Sequence, residues 1–140
     1  MKRAMPSPAP PPVFVINLAR DTARRAHMEA LLDRIGLPAI CVPAVDGNAL
    51  PPAERDRDDP KRALRLSGTP MLPSEIGCYL SHYRLWERIV RDNLPEALIL
   101  EDDIDIDANL PGLIDDLRAC PDWLVVRLHS MRSRVLAPTK

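Results

Sequence analysis

The segment "VFVINL", Val13 to Leu18, is short, apolar and rich in β-branched residues, and prolines precede it. Such a run reads as a buried strand. The period then changes. "ARDTARRAHMEALLDRIG" sets Met28, Leu31, Leu32 and Ile35 at helical spacing, offers Asp21 or Thr22 as a cap, and stops at Gly36. A strand that feeds a helix and then repeats confines a chain to an α/β sandwich with a mostly parallel sheet.

The repetition is legible downstream. "PAICVPAV", Pro38 to Val45, reads as a second strand, with Pro43 marking an edge position or an early end to pairing. "VDGN" is a turn. Asn48 to Pro73 is proline-rich and holds the charged patch "ERDRDDPKR"; it reads as a loop with at most a short helix. "SEIGCYLSHYRLWERIV" is a helix capped by Ser74. Its expected apolar face is Ile76, Tyr79, Leu80, Tyr83, Trp86 and Val90, with the aromatics in the core. "EALIL" is a third strand, "NLPGLIDDLRA" a helix with proline near its start, and "DWLVVRLHS", Asp122 to Ser130, a fourth strand. The predicted order is β-α-β-loop-α-β-α-β.

The chain's 140 residues suit one domain, and 46% hydrophobic against 28% charged residues supports a packed core. A formal net charge of −1 argues against a nucleic-acid partner bound through bulk positive charge. Cys41, Cys78 and Cys120 show no zinc-ligand spacing and read as reduced, buried core thiols of a cytoplasmic protein. "MKRAMPSPAPPP" has no apolar h-region of a secretory signal, and no segment reaches the length of a membrane span. The expected organisation is a disordered Pro-rich lead-in over 1–12, a domain over 13–130 and a basic tail over 131–140.

Chemistry is concentrated at "EALILEDDIDID", Glu96 to Asp107. Carboxylates that follow directly on a buried strand repel one another and are costly to desolvate. Two readings stand side by side. Asp105 and Asp107 read as a solvated loop. Glu101, Asp102 and Asp103 sit where ligands collect in open parallel sheets, and a hard cation such as Mg²⁺ or Mn²⁺ with a diphosphate would relieve their repulsion. Asn17 with Arg20, and Asp46 with Gly47, stand at corresponding strand ends.

Four motifs in this order, "VFVINLARDTARRAHM", "PAVDG", "LPSEIGCYLSHYRLWERI" and "ALILEDD", resemble glycosyltransferase family 25. The family is similar to lipooligosaccharide galactosyltransferases of bacteria and collagen galactosyltransferases of animals. The likeness spans Val13 to Asp103, with a weaker echo in "DWLVVRL". It implies a GT-A-like nucleotide-sugar fold, a UDP-sugar donor (UDP-galactose most often) and Mn²⁺ or Mg²⁺. The implied acceptor is a lipopolysaccharide or lipooligosaccharide core glycan, modified in the cytoplasm or peripherally at the inner membrane. Asp103 is then the metal ligand, and Glu101 and Asp102 belong to the donor site. Asn17 and Arg20 would lie by the base and ribose. Asp46 is a plain turn residue or a uridine contact, and Glu75 a first-turn acid or a donor contact. His82, pointing about 100° away from Ser81 on a helix, forms no dyad with it and joins the donor site by resemblance alone. Arg24 and Arg25 read equally as phosphate contacts or as solvent-exposed.

The family usually continues well beyond the acidic motif, so the C-terminal part of the fold is expected to be missing and no general base is nominated. The alternative reading is a catalytically incomplete nucleotide-sugar-binding fragment or partner-binding module. Either would carry an exposed sheet edge suited to self-association.

Overall fold

Val13–Asn17 forms the first strand, β1, and every residue in it is buried. A strand covered on both faces must be apolar throughout, which this segment is up to Asn17. The computed structural model describes residues 9–55, 68–120 and 122–128. Within them, β1 is followed by α1 (Thr22–Arg34), β2 (Ala39–Pro43) and a single 3-10 turn (Gly47–Ala49). Then come α2 (Pro52–Arg55), α3 (Pro73–Arg91), β3 (Leu98–Glu101) and α4 (Leu110–Ala119). The sheet has three strands in the order β2-β1-β3, all parallel.

Alternation along β1 divides the core. Val13 and Val15 face Met28 and Leu32 of α1 and Ile114 of α4, while Phe14 and Ile16 face Leu85 of α3. The result is three layers, with α1 and α4 on one side of the sheet and α3 on the other. Pro43 pairs opposite Asn17 and the Ala44 N–H still donates to the Asn17 carbonyl at 2.9 Å, so proline's missing N–H is tolerated on this edge strand.

Two helices end the same way. Leu37 N–H donates to the Leu32 carbonyl at 3.0 Å and Gly36 N–H to that of Asp33 at 3.1 Å. After α3, Leu94 bonds Ile89 at 3.0 Å and Asn93 bonds Val90 at 3.1 Å. Both turns need a left-handed residue, supplied by Gly36 at φ 73° and Asn93 at φ 52°.

Several expectations are corrected. Helix α3 is capped at Leu72, not Ser74, with Pro73 first in the helix. Its buried stripe is Ile76, Gly77, Ser81 and Leu85, whereas Tyr79, Tyr83, Trp86 and Val90 are exposed. The reason is distance: at Gly77 and Ser81, α3 lies too close to the loop after β2 for large side chains to fit between, and this sets which side of the helix faces inward. None of the three cysteines is fully buried, and Cys78 and Cys120 are exposed. Residues 122–128 form no strand, and Leu124 and Val125 project outward. The lead-in is not wholly apart from the fold: Pro11 is buried and the Pro12 carbonyl accepts from Leu98 N–H at 3.0 Å. Residues 1–8, most of the charged patch (56–62), Ser130 and the basic tail lie outside the described residues.

Candidate functional site

The order β2-β1-β3 means the chain leaves β1 to one side, then crosses to the other. The crevice at such a reversal opens between the carboxyl ends of the two diverging strands, here β1 and β3. Asn17 closes β1 and is buried. Its Nδ2 donates to Asp102 Oδ2 at 2.6 Å and to the Asp21 carbonyl at 3.1 Å. Arg24 Nη1 of α1 lies 3.5 Å from the other Asp102 oxygen. Asp102 is therefore engaged on both oxygens and ties the two strand ends together.

Its neighbours behave differently. Glu101 Oε1 lies 3.0 Å from His82 Nε2 and accepts from Cys78 Sγ at 3.6 Å. Asp103 lines the cleft, and among the described residues no hydrogen bond or ion pair engages its carboxylate. Burial, then the negative Glu101 and Asp103, push the Cys78 thiol above its ordinary range. Beyond Asp103 the sequence alternates: Ile104 and Ile106 pack on the core while Asp105 and Asp107 project outward. Asp107 Oδ1 accepts from Asn109 N–H at 2.7 Å at the entry to α4, so this acid serves the loop.

On the β2 side Arg20 pairs with Asp46, whose other oxygen accepts from Asn48 N–H at 3.0 Å. The Arg20 hydrogen bond, then the Asn48 N–H, hold the Asp46 carboxyl below its usual range, and Asp46 raises the Arg20 guanidinium in turn. The sign follows. A depressed folded value means the tie is present above the ordinary aspartate range, near pH ~4, and is lost as pH falls through the lowered value. A carboxyl-carbon NMR titration is expected to show Asp46 ionising below free aspartate, and to move back toward the ordinary value in Arg20→Gln, where the Asn48 N–H still holds part of the shift.

The cleft wall is completed by α3. Ser81 Oγ accepts from Val45 N–H at 2.8 Å and donates to the Gly77 carbonyl at 2.6 Å. Gly77 packs directly on the Val45–Gly47 backbone; a Cβ there would stand 2.5 Å from the Val45 oxygen and 2.7 Å from the Gly47 nitrogen. The enclosed volume is about 170 Å³, less than the roughly 300–1,000 Å³ of a site that encloses a whole small molecule. A larger hollow of about 380 Å³ along exposed α3 is lined by Tyr83, Trp86, Glu87, Val90 and Arg91 and shares no lining residue with the cleft.

Arg20, Asp46, His82, Glu101, Asp102 and Asp103 thus meet in one cleft, with Asn17 beneath them. Glu75 is not among the lining residues; its Oε2 accepts from Leu72 N–H at 2.7 Å and caps α3. Sequence reasoning placed Gly47 beside Asp46 at a strand end, gave Cys78 to the core, considered Ser81 only as a rejected dyad partner, left out Gly77 and did not decide on Arg24. The pair Gly77 and Ser81, small residues one turn apart in a helix of large ones, was the readable sign of a close approach.

The sequence model described as Glycosyltransferase family 25 (LPS biosynthesis protein) matches residues 10–132. A Glycosyltransferase 25 family member of Drosophila pseudoobscura pseudoobscura is 47% identical over 120 residues, covering 79% of this chain and 19% of that protein. Procollagen galactosyltransferase 1 of Danio rerio is 31% identical over 137 residues, 91% of this chain and 23% of its own length. The human protein named Inactive glycosyltransferase 25 family member 3 is 35% identical over 118 residues, 75% of this chain and 18% of that one. The chain spans about a fifth of the length of these relatives.

Proposed function

The chain belongs to glycosyltransferase family 25, and from that premise we propose that it forms the donor-binding part of a transferase using a UDP-sugar. The three-layer fold is read as GT-A-like, with the nucleotide at the reversal between β1 and β3. One observation carries this reading. Asp103 presents in the cleft a carboxylate that no partner among the described residues engages, directly after Asp102, whose oxygens are both engaged.

That donor set fits Mg²⁺ or Mn²⁺, which take one or two carboxylates and complete their shells with phosphate oxygens and water. When bound, the cation supplies Lewis-acid stabilisation of charge developing on the departing diphosphate. The chain's own groups do the rest. Asp103 holds the cation. Asn17 and Arg24 fix Asp102, so the turn carrying Asp103 stays in place. Arg20, 60% exposed and anchored by Asp46, keeps further guanidinium donors for phosphate oxygens.

Galactose as the donor sugar is supported by relatives named procollagen galactosyltransferases. A lipopolysaccharide or lipooligosaccharide core acceptor is supported by the family description. With that acceptor the enzyme would work in the cytoplasm, peripherally at the inner membrane; no helix among the described residues is long and apolar enough to cross one. Transfer assays offering both core saccharides and procollagen decide the acceptor. A second reading, nucleotide-sugar binding without turnover, is favoured by the similarity to a relative named inactive.

Calorimetric titration of UDP-galactose with Mn²⁺ and then with chelator tests the proposal. Binding is expected to depend on the metal and to weaken at least about tenfold in Asp103→Ala. If Asp103→Ala binds as tightly as the parent, with the same metal dependence, the assignment is wrong.

A further inference from the structure

We propose that Cys78, His82 and Glu101 form a second metal site, selective for Zn²⁺ and similar borderline-soft cations and distinct from the oxygen-ligand position at Asp103. Cys78 and His82 are one turn apart on α3, so both side chains leave the same face. Two ligands at this spacing on a helix are a recurring way to hold a transition metal. Glu101 ends β3 and arrives from the opposite wall.

The three ligand atoms, Cys78 Sγ, His82 Nε2 and Glu101 Oε1, lie within 4.8 Å of one another. Sγ to Oε1 is 3.6 Å and Nε2 to Oε1 is 3.0 Å. Tetrahedral zinc, with bonds of about 2.0–2.3 Å, needs its ligand atoms about 3.3–3.6 Å apart. The two spacings to Oε1 are already close to that geometry, and side-chain rotation of Cys78 and His82 sets the third. The donors decide selectivity: a thiolate and an imidazole beside one carboxylate suit Zn²⁺ or Co²⁺, whereas Mg²⁺ and Mn²⁺ prefer oxygen throughout. Three protein ligands leave the fourth position to water or to an entering anion. His82 and Glu101 are 26% and 47% exposed, so an ion can enter from solvent.

The consequence rests on the donor-site reading above. Zn²⁺ at this position occupies His82 and Glu101, and so opposes donor binding where Mn²⁺ supports it.

The test is a titration of Co²⁺ into the full chain, stripped of metal, with a phosphine reductant and no nucleotide. The expected result is a thiolate-to-Co²⁺ charge-transfer band with the visible absorption of a four-coordinate ion, displaced by Zn²⁺. The band is expected to vanish in Cys78→Ser, to need at least tenfold more Co²⁺ in His82→Ala and in Glu101→Gln, and to survive in Cys41→Ser/Cys120→Ser. No band from the folded chain, or a band that persists in Cys78→Ser, overturns the proposal. Since nucleotide is absent, failure here leaves the transferase reading untouched; the UDP-galactose titration tests that separately.

Discussion

Gly77→Ala is expected to destabilise the fold by about 2–3 kcal/mol and to abolish UDP-galactose binding under conditions where the protein remains folded. Alanine is the better helix former by roughly 1 kcal/mol, so propensity alone predicts the opposite sign. Sterics decide. The new methyl would meet the Val45 carbonyl oxygen and the Gly47 nitrogen, both main-chain atoms that cannot rotate aside. Helix α3 must then lift from the loop after β2. That lift breaks the Val45–Ser81 hydrogen bond and carries His82 away from Glu101. Gly112→Ala is the matched control. Its methyl would meet only the side chain of Asn109, which can move, so it is expected to leave stability unchanged or raised. Urea midpoints of the two variants check the first claim and calorimetry the second. Gly47→Ala strikes the Pro73 carbonyl, at the start of the same helix. The double variant should therefore lose less than the sum, because α3 is displaced only once.

The same contact explains what could and could not be read in the sequence. β1, α1 and β3 were legible because their large apolar residues are buried or partly buried. β2 was legible as an edge through Pro43. The register of α3 was not. Tyr79, Tyr83 and Trp86 resemble core residues by type, yet the helix buries Ile76, Gly77, Ser81 and Leu85, because the close approach to the β2 loop at Gly77 and Ser81 fixes which side faces inward. "LVV" at 124–126 has the composition of a strand, but a strand exists only through a pairing partner, and none is present among the described residues. The acids of the site were legible from a general rule about strand ends. Their division of labour was not, because it depends on the Asn17–Asp102 bond across 85 positions and on Arg24 reaching the same carboxylate. Cys78 was assigned to the core on residue type alone, and only the fold shows that it faces Glu101.

Glu96 and Arg118 drew no attention in the sequence, yet breaking their contact is expected to have the largest effect on stability. Arg118 Nη2 lies 2.7 Å from Glu96 Oε1, an ion pair without the geometry of a full hydrogen bond, between side chains only 15% and 6% exposed. Glu96 stands just before β3 and Arg118 in the last turn of α4. Arg118 also donates to the Ala9 carbonyl at 2.8 Å, fastening the N-terminal segment beside β3. Removing one partner strands a charge in a poorly solvated place, which costs about 3–5 kcal/mol. Arg118→Met and Glu96→Leu are each expected to lose that much, a large share of the ~5–15 kcal/mol that stabilises a typical domain. Replacing both removes the stranded charge as well. Because two buried ions are expensive to desolvate, Glu96→Leu/Arg118→Met is expected to recover most of the loss. A double-mutant cycle in urea measures the coupling. A double variant as unstable as the sum of the singles would mean that Arg118 acts instead by holding the Ala9 carbonyl. Alanine substitutions cannot disturb that carbonyl, but deleting residues 1–9 removes it and would reproduce the loss.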